Sequence, residues 1–291
     1  MRDGLLVINK PRGITSTRVV EKVKKKLKAK VGHTGTLDPL ATGVLVLLVG
    51  KATRFSWLFV EMDKTYRVTA LLGFSTDTYD VEGKILKTAE VSVDCGEVKR
   101  ALEDFRGEIE QLPPPFSAKK VEGKRAYRLA RKGIQPQLKP VKVKVYELSM
   151  ERCEPPELEL KMVVSSGTYV RTLIHDLGQR LGVGAVVKEL VRESVGPFSL
   201  QESVGLEEFL SSSDPWSYVL SMEEAFYFLP KISLDFFTGK RILNGNPVLI
   251  KNKVQDGYVT IYIDSLFVGI GSVKSAILKP ERLVLPEGSQ T

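Results

Sequence analysis

Val44 to Val49 is an unbroken apolar run bounded by Gly43 and Gly50, and it reads as a buried strand. Immediately before it lies Gly32-His33-Thr34-Gly35-Thr36-Leu37-Asp38-Pro39-Leu40-Ala41-Thr42-Gly43, which packs three glycines, a histidine and an aspartate into one stretch. Glycine permits close backbone approach to a ligand, and a proline after Asp38 biases that aspartate away from helical geometry. The carboxylate is therefore presented from an irregular segment that the strand behind it holds rigid. Such a segment is a functional loop rather than a connector.

At 291 residues the chain exceeds one typical core, and a prior of about one domain per 150 residues gives two. Leu5 to Ile8 reads as a strand, and Thr15 or Ser16 caps a helix with Val19, Val20, Val23 and Leu27 at helical spacing. Tyr66, Val68, Ala70 and Leu72 alternate with polar neighbours, which places Tyr66 on the apolar face of a half-buried strand. Ser75 to Asp80 is polar and turn-prone, and Val98, Leu102 and Phe105 share one face of the helix that follows. After the breaks at Pro113, Pro114 and Pro115, strands are expected through Val141 to Val145 and Leu158 to Val164. A helix from Tyr169 to Leu181 carries Arg171 off the centre of its apolar face. From Leu229-Pro230 onward short glycine-punctuated strands, among them Val248 to Ile250, Val259 to Ile263 and Phe267 to Val273, indicate an all-β appendage of about 60 residues.

With 43% apolar and 27% charged residues the chain has an ordinary soluble, globular composition. Its 43 basic and 35 acidic residues leave a charge of +8, which favours a polyanionic partner. Lys22, Lys24, Lys25, Lys26, Lys28 and Lys30 surround much of the first helix, and Lys124, Arg125, Arg128, Arg131 and Lys132 crowd a short surface helix. Runs of this kind are usually solvated faces; beside a candidate site they are also candidate phosphate contacts. Cys95 and Cys153 lie far apart in no CxxC pair, so neither a disulfide framework nor a thiolate zinc site is indicated, and a reducing cytoplasm fits. No apolar run, including that within Met1 to Asn9, reaches the about 18 residues of a membrane span.

Several chemistries are disfavoured. A phosphate-binding P-loop fails because Gly43 is too far from Gly50 and Ala52 follows Lys51. His33 and His175 are the only histidines, and no carboxylate cluster has metal-ligand spacing. A GxSxG elbow is lacking. Asp38, Tyr66 and Arg171 remain, and each alone has a plain explanation as a turn residue, a core ring and a surface ion-pair partner.

The wider pattern changes that reading. Asn9-Lys10-Pro11-Arg12-Gly13-Ile14-Thr15-Ser16, the Gly32 to Leu45 segment, Lys64-Thr65-Tyr66-Arg67, Thr76-Asp77-Thr78, Pro114-Pro115-Phe116-Ser117-Ala118 and Gly167-Thr168-Tyr169-Val170-Arg171 occur in this order. Over about residues 4 to 229 the chain resembles the TruB-type tRNA pseudouridine synthases, and its tail is similar, more weakly, to a PUA-like RNA-binding domain. The resemblance implies an α+β pseudouridine synthase fold with a mixed, largely antiparallel sheet over residues 1–229, and a small β PUA-like domain over residues 230–291. It further implies isomerisation of uridine 55 in the T loop of tRNA, in the cytoplasm, with no cofactor, metal, membrane or obligate protein partner.

By that likeness Asp38 is the catalytic aspartate, Arg171 its ion-pair partner in a site closed to water, and Tyr66 the ring that stacks on the extruded base. His33 occupies or braces the space the base vacates. Leu190, Gly35, Thr36 and Lys10 contact the substrate, although Lys10 also fits a packing role. A free aspartate has a pKa near 3.9, so such a residue needs orientation more than activation. The family often has Leu-Arg-Arg near Leu190; Val191 and Ser194 here replace frequently basic positions, which puts a phosphate contact there in doubt. The rival readings are a non-catalytic RNA-binding protein on the same scaffold, a synthase acting on another RNA with a guide complex, and a metal-dependent phosphotransferase.

Overall fold

The computed structural model describes residues 3–121, 123–250 and 254–284. The extreme ends of the two expected domains, residues 1–2 and 285–291, lie outside the described residues. In chain order the principal elements are β1 (Gly4–Lys10), α1 (Ser16–Leu27), β2 (Val31–His33), β3 (Thr42–Val49), β4 (Lys64–Leu72), α2 (Cys95–Glu103), β5 (Gly107–Gln111), β6 (Val141–Glu154), β7 (Glu157–Val164), α3 (Val170–Arg180) and β8 (Ala185–Val195). They form a sheet of 11 strands whose order runs from the short strand Val204–Gly205 through β1, β3, β8, β4, β7 and β6 to β5. Pairing is antiparallel except where β1 meets Val204–Gly205 and where β3 meets β8. The sheet is thus mixed and largely antiparallel.

Residue alternation explains why Val44 to Val49 is apolar throughout. Leu45, Leu47 and Val49 face the core that α1 and α3 cover, with Val19, Val23, Leu173 and Leu177. Val44, Val46 and Leu48 face a second core with Phe55, Phe59, Phe198 and Phe226. A strand covered on both faces leaves no position for a polar side chain. Helix α1 begins where the sequence places it, since Thr15 Oγ1 accepts the Arg18 N–H at 3.1 Å. Asp94 and Glu97 form a reciprocal cap on α2, which buries Val98 and Leu102 and ends before Phe105.

The C-terminal region forms a separate five-stranded sheet from Lys231–Leu234, Val248–Leu249, Gly257–Ile263, Leu266–Lys274 and Ile277–Leu283. The expectation of an all-β appendage needs correction, because the helix Phe236–Leu243 packs on it. Asp235 caps that helix, and Gly239 leaves room for Ile263, whose atoms would lie 2.6 Å from a Cβ there. Phe267, Ile270 and Val284 join the second core of the large sheet, and Phe267 stacks on Phe226 at 5.7 Å, so the two sheets share an aromatic seam.

The cysteine reading also needs correction. Cys95 at the start of α2 and Cys153 in β6 form a disulfide across 58 residues, with Cα atoms 5.9 Å apart. Sequence distance concealed the pair because the chain between them returns along β5 and β6. By the loop-entropy relation a closure of this length contributes about 4 kcal/mol. Reduction, or a Cys95→Ser, Cys153→Ser double substitution, is therefore expected to lower the melting temperature by several degrees; equal melting curves with and without reductant would remove the assigned contribution.

Candidate active site

Asp38 is held by its backbone neighbours. Ser16 Oγ donates to the Leu37 carbonyl at 3.0 Å and accepts the Leu37 N–H at 2.8 Å. The Gly13 N–H reaches the Pro39 carbonyl at 2.8 Å, and Thr34 N–H reaches Val46 O at 3.1 Å. Lys10, fully buried, donates from Nζ to Pro11 O and Ile14 O at 2.9 Å and to Pro39 O at 3.4 Å. The first sequence motif is therefore a brace for the aspartate loop. Lys10 is fully buried among these carbonyls, which is the packing role the sequence also allowed. Burial, opposed by the Asp38 carboxylate, pushes the Lys10 ammonium down to about 8.

The other brace is Arg192, which no sequence motif singled out. Only 2% exposed, it donates from Nε to Val44 O at 2.7 Å, and from its two terminal nitrogens to Gly35 O at 3.1 Å and Thr36 O at 3.5 Å. On the sheet Arg192 pairs with Gly43 on one side and Tyr66 on the other, which sets loop, brace and ring side by side on three adjacent central strands. Gly43 has φ +103°, and a Cβ there would lie 2.3 Å from the Arg192 carbonyl. Its glycine is required by the neighbouring strand rather than by a ligand. Arg192 thus faces inward to backbone carbonyls, and the basic position of this strand is not a phosphate contact. Its spacing of two from buried Leu190 places it on the same face of the strand, and that is the signal that points to burial.

Arg171 crosses 133 residues of sequence to donate from Nε to Asp38 Oδ2 at 2.7 Å. Its remaining nitrogens donate to Thr78 O at 2.7 Å and Phe116 O at 3.0 Å, and Asp80 Oδ2 lies 3.8 Å away. The guanidinium is 5% exposed and the Asp80 side chain 9%, whereas the Asp38 carboxylate keeps 36% of its surface facing the pocket. The ion pair is thus buried on the arginine side and open to the pocket on the carboxylate side. Gln111, buried at the end of β5, accepts from Tyr169 N at 3.0 Å and donates to Tyr169 O at 3.2 Å, which fixes the start of α3 and so the root of Arg171.

The turn that offers Thr78 O and Asp80 is itself pinned. Thr76 Oγ1 donates to Asp80 O and Thr78 Oγ1 to Asp80 Oδ1, both at 2.7 Å. Tyr79 adopts φ +64°, unfavourable for a side chain of this size, and its ring lies flat on His175 with centroids 3.8 Å apart. His175 stands one helical turn from Arg171 on α3. Burial lowers the pKa of His175 and raises that of Tyr79.

A pocket of about 260 Å³ opens over this arrangement. Of the expected site residues, Asp38, Tyr66, Arg171, Leu190, Gly35 and Thr36 line it. Lys10 and His33 do not. His33 sits on β2 opposite Leu47, half-buried, with Nδ1 lacking a partner and its pKa lowered by burial and by Arg192. Tyr169, Lys64 and Thr168 are among the other residues of the wall, although their roles were not legible in the sequence. Lys64 gives its ammonium to Val60 O at 2.7 Å and to Met62 O, and burial pushes it down to about 8. No group of histidine, cysteine or carboxylate side chains that could hold a metal occurs among the described residues.

Three family descriptions match the chain: TruB family pseudouridylate synthase (N terminal domain) over residues 22–170, tRNA pseudouridylate synthase B C-terminal domain over residues 171–226, and Pseudouridine synthase II TruB, C-terminal, over residues 230–284. A tRNA pseudouridine synthase B from Aquifex aeolicus is 53% identical over 97% of this chain and 100% of its own length. One from Clostridium kluyveri is 40% identical over 97% and 99%. Among solved structures, a chain of an H/ACA ribonucleoprotein bound to a substrate RNA containing 2′-deoxyuridine aligns with a TM-score of 0.73 at 25% identity, covering 98% of this chain and 86% of that one. A chain of a Cbf5–Nop10–Gar1 complex aligns with a TM-score of 0.73 at 26% identity, covering 97% and 85%.

Replacing Arg192 by Met leaves three carbonyls without their donor, that of Val44 in the buried interior, and is expected to cost about 2–4 kcal/mol in urea denaturation. Arg67→Met, on the exposed face where the arginine pairs with Glu193 at 2.9 Å, should cost under about 1 kcal/mol. Equal midpoints for the two variants would contradict the bracing role.

Proposed function

The chain belongs to the TruB family of pseudouridine synthases, and we propose that it isomerises uridine 55 in the T loop of tRNA to pseudouridine, with Asp38 as the catalytic carboxylate. The observation that carries this reading is the Asp38–Arg171 pair, which leaves one carboxylate oxygen region open to a small pocket floored by Tyr66. In the reaction the bond from C1′ to N1 breaks and one from C1′ to C5 forms, while C5 loses a proton and N1 gains one. Asp38 acts by attack on C6, by attack on C1′, or by taking a 2′ proton; each uses the same ionised, aimed oxygen.

The uridine must leave its stack, at a cost of a few kcal/mol. Tyr66 receives the base on its ring face and Leu190 bounds it with an apolar wall, while the Gly35–Thr36 backbone borders the entrance. His33, on the strand that leads into the loop, braces the space vacated in the RNA. Arg171 holds Asp38 aimed, and its grip on two carbonyls prevents it from following the carboxylate toward the substrate. The residues span a catalytic domain over 1–229 and an RNA-binding PUA-like domain over 230–291. The enzyme works in the cytoplasm without a cofactor or obligate protein partner.

Incubation of the purified chain with an unmodified tRNA transcript, followed by mapping of pseudouridine, tests the activity; absence of product at position 55 refutes it. Asp38→Asn is expected to abolish product while retaining tRNA affinity within a few fold, because shape is kept and the anion is lost. Residual wild-type turnover would reassign the aspartate. Arg171→Ala is expected to lower turnover at least about a hundredfold, since it leaves Asp80 buried and uncompensated as well as freeing Asp38. An effect confined to tRNA affinity would make Arg171 a phosphate contact instead.

A further inference from the structure

A second cavity, about 1050 Å³, lies between the C-terminal end of α1 and the 3-10 turn Gly50–Phe55. Its cationic lining is Lys24, Lys25, Lys28, Lys30, Lys51 and Arg54. Two carboxylates also reach it, and both are engaged: Asp3 accepts the Lys51 N–H at 2.7 Å, and Glu21 pairs with Arg18 at 2.9 Å. None of Lys24, Lys25, Lys28, Lys30 and Arg54 has a carboxylate partner among the described residues, and all five are exposed.

The walls are preformed. Gly50 N–H donates to Lys30 O at 2.7 Å, and Thr53 Oγ1 donates to Gly50 O at 2.8 Å. Gly50 takes φ +62°, and a Cβ there would overlap Asp3 Oδ1 at 1.9 Å. Unpaired cations gathered on a fixed surface repel one another, and an anionic chain laid among them relieves that repulsion. No aromatic ring lines the groove, so it offers no platform for stacked bases. Lysine ammoniums on long stems suit phosphates as point charges.

We propose that this groove binds the phosphate backbone of the substrate RNA away from the nucleotide that enters the pocket. The proposal rests on the RNA-modifying reading above. The strand β2 is three residues long and joins the two sites, with Lys30 at its start and Thr34, which lines the pocket, at its end. At about 3.3 Å per residue the two backbone positions stand roughly 13 Å apart. That separation puts the groove within a few nucleotides of the one that enters the pocket.

The test compares the wild-type chain with a Lys24→Gln, Lys25→Gln, Lys28→Gln, Lys30→Gln variant, by anisotropy with an unmodified tRNA transcript between about 50 and 200 mM salt. Each phosphate that is no longer neutralised lowers the log-log salt slope by about 0.7–0.9. The expected result is a slope shallower by about 3 and an affinity at least about tenfold weaker at the low-salt end, in a chain with unchanged melting. A control variant with Lys84, Lys87, Lys99 and Lys142 changed to Gln, all exposed and outside the groove, should retain the wild-type slope. An unchanged slope in the groove variant, or an equal decrease in the control, overturns the proposal. Failure of the proposed reaction would instead show as absence of pseudouridine with the wild-type chain at every RNA concentration.

Discussion

The Arg171 guanidinium is the interaction on which the site depends. Its planar fork meets the Asp38 carboxylate, two backbone carbonyls and, at 3.8 Å, a second carboxylate. A lysine has one mobile point charge and cannot satisfy acceptors in three directions at once. Burying a cation is costly, and that cost is offset here because every nitrogen finds an acceptor. The consequence is positional. Segments from three distant parts of the chain converge on one planar group, so Asp38 is aimed by the fold rather than by its own loop.

The loop's stiffness has a second origin. Its glycines do not hinge it, and Gly35 adopts no left-handed conformation. What holds it is a set of side chains that donate to its carbonyls from either side, Ser16 and Lys10 from the first helix and strand, Arg192 from the central sheet. Two buried cations thus serve as backbone braces, and their charges also surround the aspartate. The arrangement sets cations beside the aspartate without any of them needing to leave its carbonyl partners.

The large sheet makes this possible by being covered on both faces. Helices α1 and α3 close one side of β3, while the phenylalanine cluster shared with the C-terminal sheet closes the other. Strands buried on both faces resist slippage, since a shift by one residue would exchange the two cores. Tyr66, Arg192 and Gly43 keep their lateral register for that reason, and the pocket inherits its shape from it.

Much of this was legible in the chain itself. The period-2 runs at Tyr66 to Leu72 and Leu158 to Val164, the capped helix after Thr15 and the apolar face from Val170 to Leu177 follow from spacing alone, because local backbone geometry decides which side chains share a face. The ordered motifs identified Asp38, Tyr66 and Arg171 as a set. Tertiary structure alone decided the rest: that Lys10 and Arg192 turn inward, that Cys95 meets Cys153, that Thr78 and Phe116 contribute carbonyls and not side chains, and that the small C-terminal sheet carries a helix. Backbone acceptors bear no residue signature, and whether a cation faces water or a carbonyl depends on strands that pair only after the chain has closed over itself.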